Sequence, residues 1–188
     1  MKLPIIAYGH PVLRKETEEI EELNDEMKKL IADMKDTMYG ARGVGLAAPQ
    51  IGKAIRLFIV DCSPFADDEA ENEEEEKENA FLKDFKRVFI NPIIEEESGE
   101  EWGFEEGCLS IPGIREEVFR KENVVISYYN EDWELVEEEL SGYAARVVQH
   151  EYDHIEAKLF TDYLSPLKKR MVKRKLNDIT KGIVPVKY

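Results

Sequence analysis

The segment Val147–Phe160, VVQHEYDHIEAKLF, holds two of the chain's three histidines, spaced four apart, with a glutamate directly after the first. Everything else in the chain is organised around whether this is a metal-bearing helix or a surface helix with two solvated histidines. Ser141 is placed to cap a helix that starts at Gly142 and carries the segment. On such a helix residues i and i+4 share a face, so His150 and His154 present their imidazoles to one point.

Two imidazoles leave a metal under-coordinated. A structural site wants four protein ligands, and a catalytic site wants three plus a water. Cys108 is the third candidate. It lies in EEGCLSIPG, between glycines and a proline, where a tight turn can aim its side chain, and a thiolate is a strong ligand for borderline and soft metals. One cysteine and two histidines leave a position for water, whose pKa a bound metal lowers toward ~7. Glu151, beside a ligand, is placed to accept a proton and return it to a leaving amine. Asp153 falls between the ligands in sequence and reads as a packing or supporting contact. H-E-x-x-H also occurs in general zinc peptidases, and that reading stays open at this point.

Outward from this segment, the bulk numbers set limits. The chain has 188 residues, the size of one domain, and hydrophobic residues make up 43% of it. Its formal net charge of -15 argues against DNA or an anionic membrane as a whole-surface partner. Two cysteines, Cys62 and Cys108, suit a reduced, cytoplasmic protein better than a disulfide scaffold. No apolar run approaches ~20 residues, so no membrane span is expected.

Asn24 reads as a helix N-cap, followed at helical spacing by Met27, Leu30, Ile31, Met34 and Met38, with Gly40 as the stop. GVGLAAPQIG comes next, from Gly43. Its G-x-G-x-x-A pattern is not a nucleotide fingerprint, because a helix precedes it and Pro49 interrupts the residues after it. It reads instead as a backbone strip passing close to a ligand, with Gln50 offering an amide donor. A strand is expected over Ile55–Asp61. Residues 67–79, DDEAENEEEEKEN, read as an acidic mobile loop, since like charges repel and bury little. Three strand-like runs come after it: RVFINPII, VVISYY and WELVEEEL. The end of the chain, 166–182, reads as a basic helix with Ser165 as cap, Pro166 first, and a stripe of Leu167, Met171, Val172 and Leu176.

Three segments, GVGLAAPQIG, EGCLS from Glu106 and QHEYDH from Gln149, stand in an order and spacing that resemble the signature motifs of peptide deformylases. The resemblance covers most of the chain but not the acidic run. It implies an α+β fold, with small antiparallel sheets packed around a central metal-binding helix and a C-terminal helix. It implies hydrolysis of the N-formyl group of formylmethionyl nascent peptides by metal-bound hydroxide, with Glu151 as general acid/base. By the same match, Cys108, His150 and His154 bind one divalent metal, ferrous iron first and zinc as a substitute. The Gln50 side chain and the Leu109 backbone N–H stabilise the oxyanion, Gly45 pairs with the substrate backbone, and Arg115 contacts the substrate. Helical spacing from His150 adds Tyr143, Arg146 and Val147, with Val44, as walls of a methionine pocket, the Arg146 charge reaching out to water. The basic helix becomes a candidate ribosome contact. Ala157 departs from the family pattern, standing where a glycine commonly ends the helix.

Overall fold

The computed structural model describes residues 1–66 and 69–187. Helix α1 (Asp25–Gly40) starts where the Asn24 side chain accepts the Met27 N–H at 2.9 Å. It buries Ile31, Met34 and Met38 against Leu46, Leu57, Ile59 and Ile90. Five strands form one antiparallel sheet in chain order: β1 (Gly45–Ala47), β2 (Leu57–Asp61), β3 (Lys86–Cys108), β4 (Ile111–Tyr129) and β5 (Leu135–Ser141). The fold is α+β as expected, but the strands form a single sheet where several small ones were expected. The reason is β3 and β4, which run far beyond the apolar stretches legible in sequence. Exposed residues such as Glu96 and Glu97 pair through their backbones, and four register shifts bend the ribbon without breaking it.

The long ribbon has a second consequence. Cys108 and Ile111 face each other across its turn, so the hairpin tip carries Cys108, Leu109 and Ser110.

Helix α3 (Gly142–Ile155) carries the two histidines and packs on β1, β2, β4 and β5. Ala144, Ala145, Val147, Val148 and Ile155 join Phe58, Val60, Phe89 and Ile126 in the main core. Among described residues, 10 of the 14 in α3 are buried, which excludes the solvated surface helix. Ser141 sits at the N-cap position but makes no side-chain capping bond.

The acidic run is not a mobile loop throughout. From Glu73 onward it is the first half of helix α2 (Glu73–Asp84), while residues 67 and 68 lie outside the described residues. Asn72 caps the helix by accepting the N–H groups of Glu74 and Glu75 at 3.1 and 3.0 Å. Glu73–Glu76 fill the first turn, where the helix dipole favours negative charge. Leu82, and Phe85 just beyond, are buried in the main core and anchor the other end.

Helix α4 (Pro166–Thr180) begins at Ser165, whose hydroxyl accepts the Lys168 N–H. It buries Val172 and Ile179 against Ile111, Ile114, Val118, Leu159, Phe160 and Leu164, with Leu176 half-buried. Leu167 and Met171, expected in its buried stripe, are 62% and 69% exposed. The buried stripe runs 172–176–179, so those two side chains fall on another face.

No described helix is long and apolar enough to cross a membrane.

Candidate active site

One cavity of about 440 Å³ opens between β1, the β3–β4 tip and α3. Cys108 and His150 line it, and His154 joins them from behind, with one ligand atom from each of the three lying within 4.8 Å of the others. Cys108 Sγ stands 3.4 Å from His154 Nε2. His150 turns Nδ1 to Glu106 Oε1 at 2.7 Å, which leaves its Nε2 for the cluster. A sulfur and two imidazole nitrogens form a donor set that fits iron, zinc or cobalt. Burial, with the nearby His150 and Arg120 charges, holds His154 well below the ordinary histidine value, so it keeps a free lone pair. Hydrogen bonds to Cys108 and Glu106 overcome burial at His150 and hold it well above that value, so a cation binding there displaces a proton.

Glu151 lies 4% exposed beside these groups, and its Oε2 has no hydrogen-bond partner. Burial pushes its carboxyl up to about 7, against the pull of His150. A Cβ on Gly45 would run into this carboxylate, and one on Gly43 would meet Leu109 Cδ1 at 2.8 Å. The glycines therefore let β1 pass directly over the site. Gln50 is fixed at both ends of its amide: Oε1 accepts the Ala47 N–H at 2.9 Å, and Nε2 donates to Ser110 Oγ at 3.2 Å and faces Cys108 Sγ at 3.4 Å. Its N–H₂ is thereby aimed at the cluster.

The group that sequence reading missed is Glu106. Its buried carboxylate accepts Arg120 Nε at 2.7 Å and Nη2 at 2.9 Å, Arg146 Nη1 at 3.0 Å, and the His150 Nδ1 proton. These bonds hold its carboxyl far below the usual range even though burial opposes them. Arg120 continues to Asp153 Oδ2 at 2.7 Å, and Asp153 Oδ1 accepts the Tyr163 hydroxyl at 3.0 Å. Asp153 thus supports the site from behind, as expected. An unpaired charge at Arg146, inside an apolar helical stripe, was the available signal that a buried carboxylate had to be near.

Arg146 does line the cavity, but its charge does not reach water. It is 2% exposed and also donates to the Val118 carbonyl at 2.9 Å and the Trp102 carbonyl at 2.6 Å. The Glu106 carboxylate and the aromatic face of Trp102, 4.4 Å away, take the place of solvent. Val44, Gly45, Leu109 and Val147 line the cavity, and Arg115 lies exposed at its mouth, paired with Glu105 at 3.2 Å. Tyr143 is not in the lining. It stands one layer behind, stacked flat on Phe65 with ring centres 5.1 Å apart.

Ala157 has φ 58, in the left-handed region where glycine is favoured. An alanine therefore holds a left-handed turn directly after α3.

The sequence matches the polypeptide deformylase family over residues 2–170. A peptide deformylase of Christiangramia forsetii is 57% identical over 188 residues, covering all of this chain and 94% of the relative. One from Flavobacterium johnsoniae is 54% identical over 182 residues, covering 97% and 91%. The crystal structure of a peptide deformylase from Legionella pneumophila superposes with a TM-score of 0.80 at 37% identity, covering 98% of this chain and 99% of that one. With its glycine strip, cysteine hairpin and histidine helix meeting around one cavity, the chain belongs to the polypeptide deformylase family of enzymes.

Proposed function

We propose that this protein removes the formyl group from N-terminal formylmethionine of newly made polypeptides in the cytoplasm. It uses one divalent metal held by Cys108, His150 and His154, ferrous iron in the cell and zinc as a substitute. The observation that carries the reading is the convergence of those three ligand atoms beside an unpartnered, buried Glu151 carboxylate. Bound there, the metal supplies an acidified water and a Lewis acid for the formyl oxygen.

The protein's own groups do the rest. Glu151, with its pKa raised to about 7, takes a proton from the attacking water and delivers it to the departing amine. Gln50 Nε2, locked by Ala47 and Ser110, donates to the oxygen as negative charge develops on it, and the Leu109 N–H at the hairpin tip is its partner. Gly45 leaves room for the substrate backbone along β1, and Val44, Val147 and the Arg146 stem wall the methionine side chain. Arg115 meets the rest of the substrate chain. The Glu106 carboxylate orients His150 and so shapes the metal's surroundings.

The test is formate release from formyl-Met-Ala-Ser by anaerobically purified protein, with metal content assayed on the same sample. Rapid release at about one metal per chain is expected, and Glu151→Ala should end turnover by ~10²-fold or more while the metal stays bound. Cleavage of an unformylated, N-blocked peptide instead would revive the general peptidase reading.

The exposed cations of α4, including Lys169, Arg170, Lys173 and Arg174, support docking on ribosomal RNA in an otherwise acidic chain. Co-sedimentation with ribosomes should then fall steeply as salt rises, and fall further when Lys173, Arg174 and Lys175 are replaced by glutamine.

A further inference from the structure

None of the three motif segments, GVGLAAPQIG, EGCLS and QHEYDH, contains Phe65. This residue comes after β2, just ahead of the acidic run, in a short turn over Ser63–Phe65. Yet its ring lines the same cavity as Cys108 and His150. The turn is tied down on both sides. Phe65 N–H donates to the Cys62 carbonyl at 2.9 Å, Cys62 N–H to the Phe85 carbonyl at 3.0 Å, and Ser63 N–H to Asp61 Oδ1 at 2.9 Å. The ring lies flat on Tyr143 and meets Phe104 edge-on, with centres 6.2 Å apart and planes at 69°. Phe104 lines the cavity as well. The wall is therefore aromatic and preorganised.

Its distance from the chemistry fits a particular ligand atom. Tyr143 precedes His150 by seven residues, about 10 Å along α3. In a formylmethionyl substrate five bonds lead from the formyl carbon to the thioether sulfur, a reach of roughly 6 Å. A thioether sulfur sits favourably ~5 Å from an aromatic ring, often at its edge. With the formyl carbon beside His150, the sulfur arrives within that distance of the level where Phe65 stacks.

Resting on the deformylase reading above, we infer that Phe65 is a specificity-determining residue. Its ring, with that of Phe104, contacts the thioether sulfur and makes the pocket favour methionine over norleucine, which has the same length but no sulfur. The contact exists before and during reaction, so it acts as uniform binding and shows in KM.

The test compares formyl-Met-Ala-Ser with formyl-norleucyl-Ala-Ser for metal-loaded wild type, Phe65→Leu and Phe65→Tyr. Wild type should favour methionine about two- to tenfold in kcat/KM, carried by KM. Leucine keeps apolar bulk without a ring and should bring the ratio toward one, whereas tyrosine should preserve it. A wild-type ratio of one overturns the inference without any variant. A ratio that survives Phe65→Leu in a folded protein overturns it for this residue. Formate release from neither substrate by metal-loaded wild type would sink the functional reading itself.

Discussion

Glu106→Gln is the most demanding test of how the site is held. The carboxylate accepts four hydrogen bonds from three cationic or ring donors, and Arg120 and Arg146 are only 6% and 2% exposed. Glutamine keeps the size but removes the charge, and it replaces an acceptor oxygen by an N–H₂ that faces other donors. Breaking one partner out of a buried ionic cluster costs about 3–5 kcal/mol, because the remaining charge stays buried. Arg120 keeps Asp153, so the lower half of that range is expected. With an m-value of about 2 kcal/mol/M, the urea midpoint of the metal-free protein should fall by roughly 1.5–2 M. Metal affinity should weaken as well, by about 10–100-fold, because His150 loses the acceptor that fixes its ring. Glu105→Gln is the control. Its side chain is 67% exposed and pairs with Arg115 at the surface, so a change below ~0.5 kcal/mol is expected. An unchanged midpoint and unchanged metal affinity in Glu106→Gln would refute the idea that this cluster supports the site.

Three further outcomes are expected from the same structure. Ala157→Gly should stabilise the protein by about 1 kcal/mol, since alanine at φ 58 carries a left-handed penalty that glycine does not, and Tm should rise by about 2–4 °C; no gain would mean the turn is unstrained. Leu82→Ala should cost about 2–4 kcal/mol in urea unfolding if α2 is docked through this buried side chain, whereas a mobile acidic loop would lose nothing. The third concerns acid. Because Glu106 is held well below its unfolded value near ~4.3, the unfolded chain takes up the proton first as pH falls. Its stabilisation is then complete above that value and drains away below it. The urea midpoint of the metal-free wild type should drop between about pH 5 and 3, more steeply than that of Glu106→Gln, and parallel profiles would contradict the assignment.

Much of this architecture was legible without coordinates because its signals are local. Asn24 and Ser165 cap helices through bonds to N–H groups three residues away, and the apolar spacing of α1 and α3 sets which faces are buried. The i, i+4 histidines, with Glu151 between them, carry their own geometry once the segment is helical. Ala157 could be singled out in the sequence, but only the backbone angle shows that it sits in a left-handed turn.

Other features depend on residues that sequence distance keeps apart. Glu106 meets Arg120, Arg146 and His150 across 14, 40 and 44 positions, so nothing in EEGCLS marks that glutamate as the partner of three cations. The same folding carries the Arg146 charge inward to Glu106, where the helix alone would send it toward water. The acidic run reads as self-repelling until α2 lays its carboxylates at a helix N-terminus and buries Leu82 in a core built from distant strands. Phe65 acquires meaning only through Tyr143 and Phe104, from elements 78 and 39 residues further on. Periodicity and caps act within a turn or two of chain, so sequence alone determined helices α1, α3 and α4 and set His150 and His154 on one face. The partners of buried charges and the cavity walls depend on which distant segments the core brings together, and only the tertiary structure decided those.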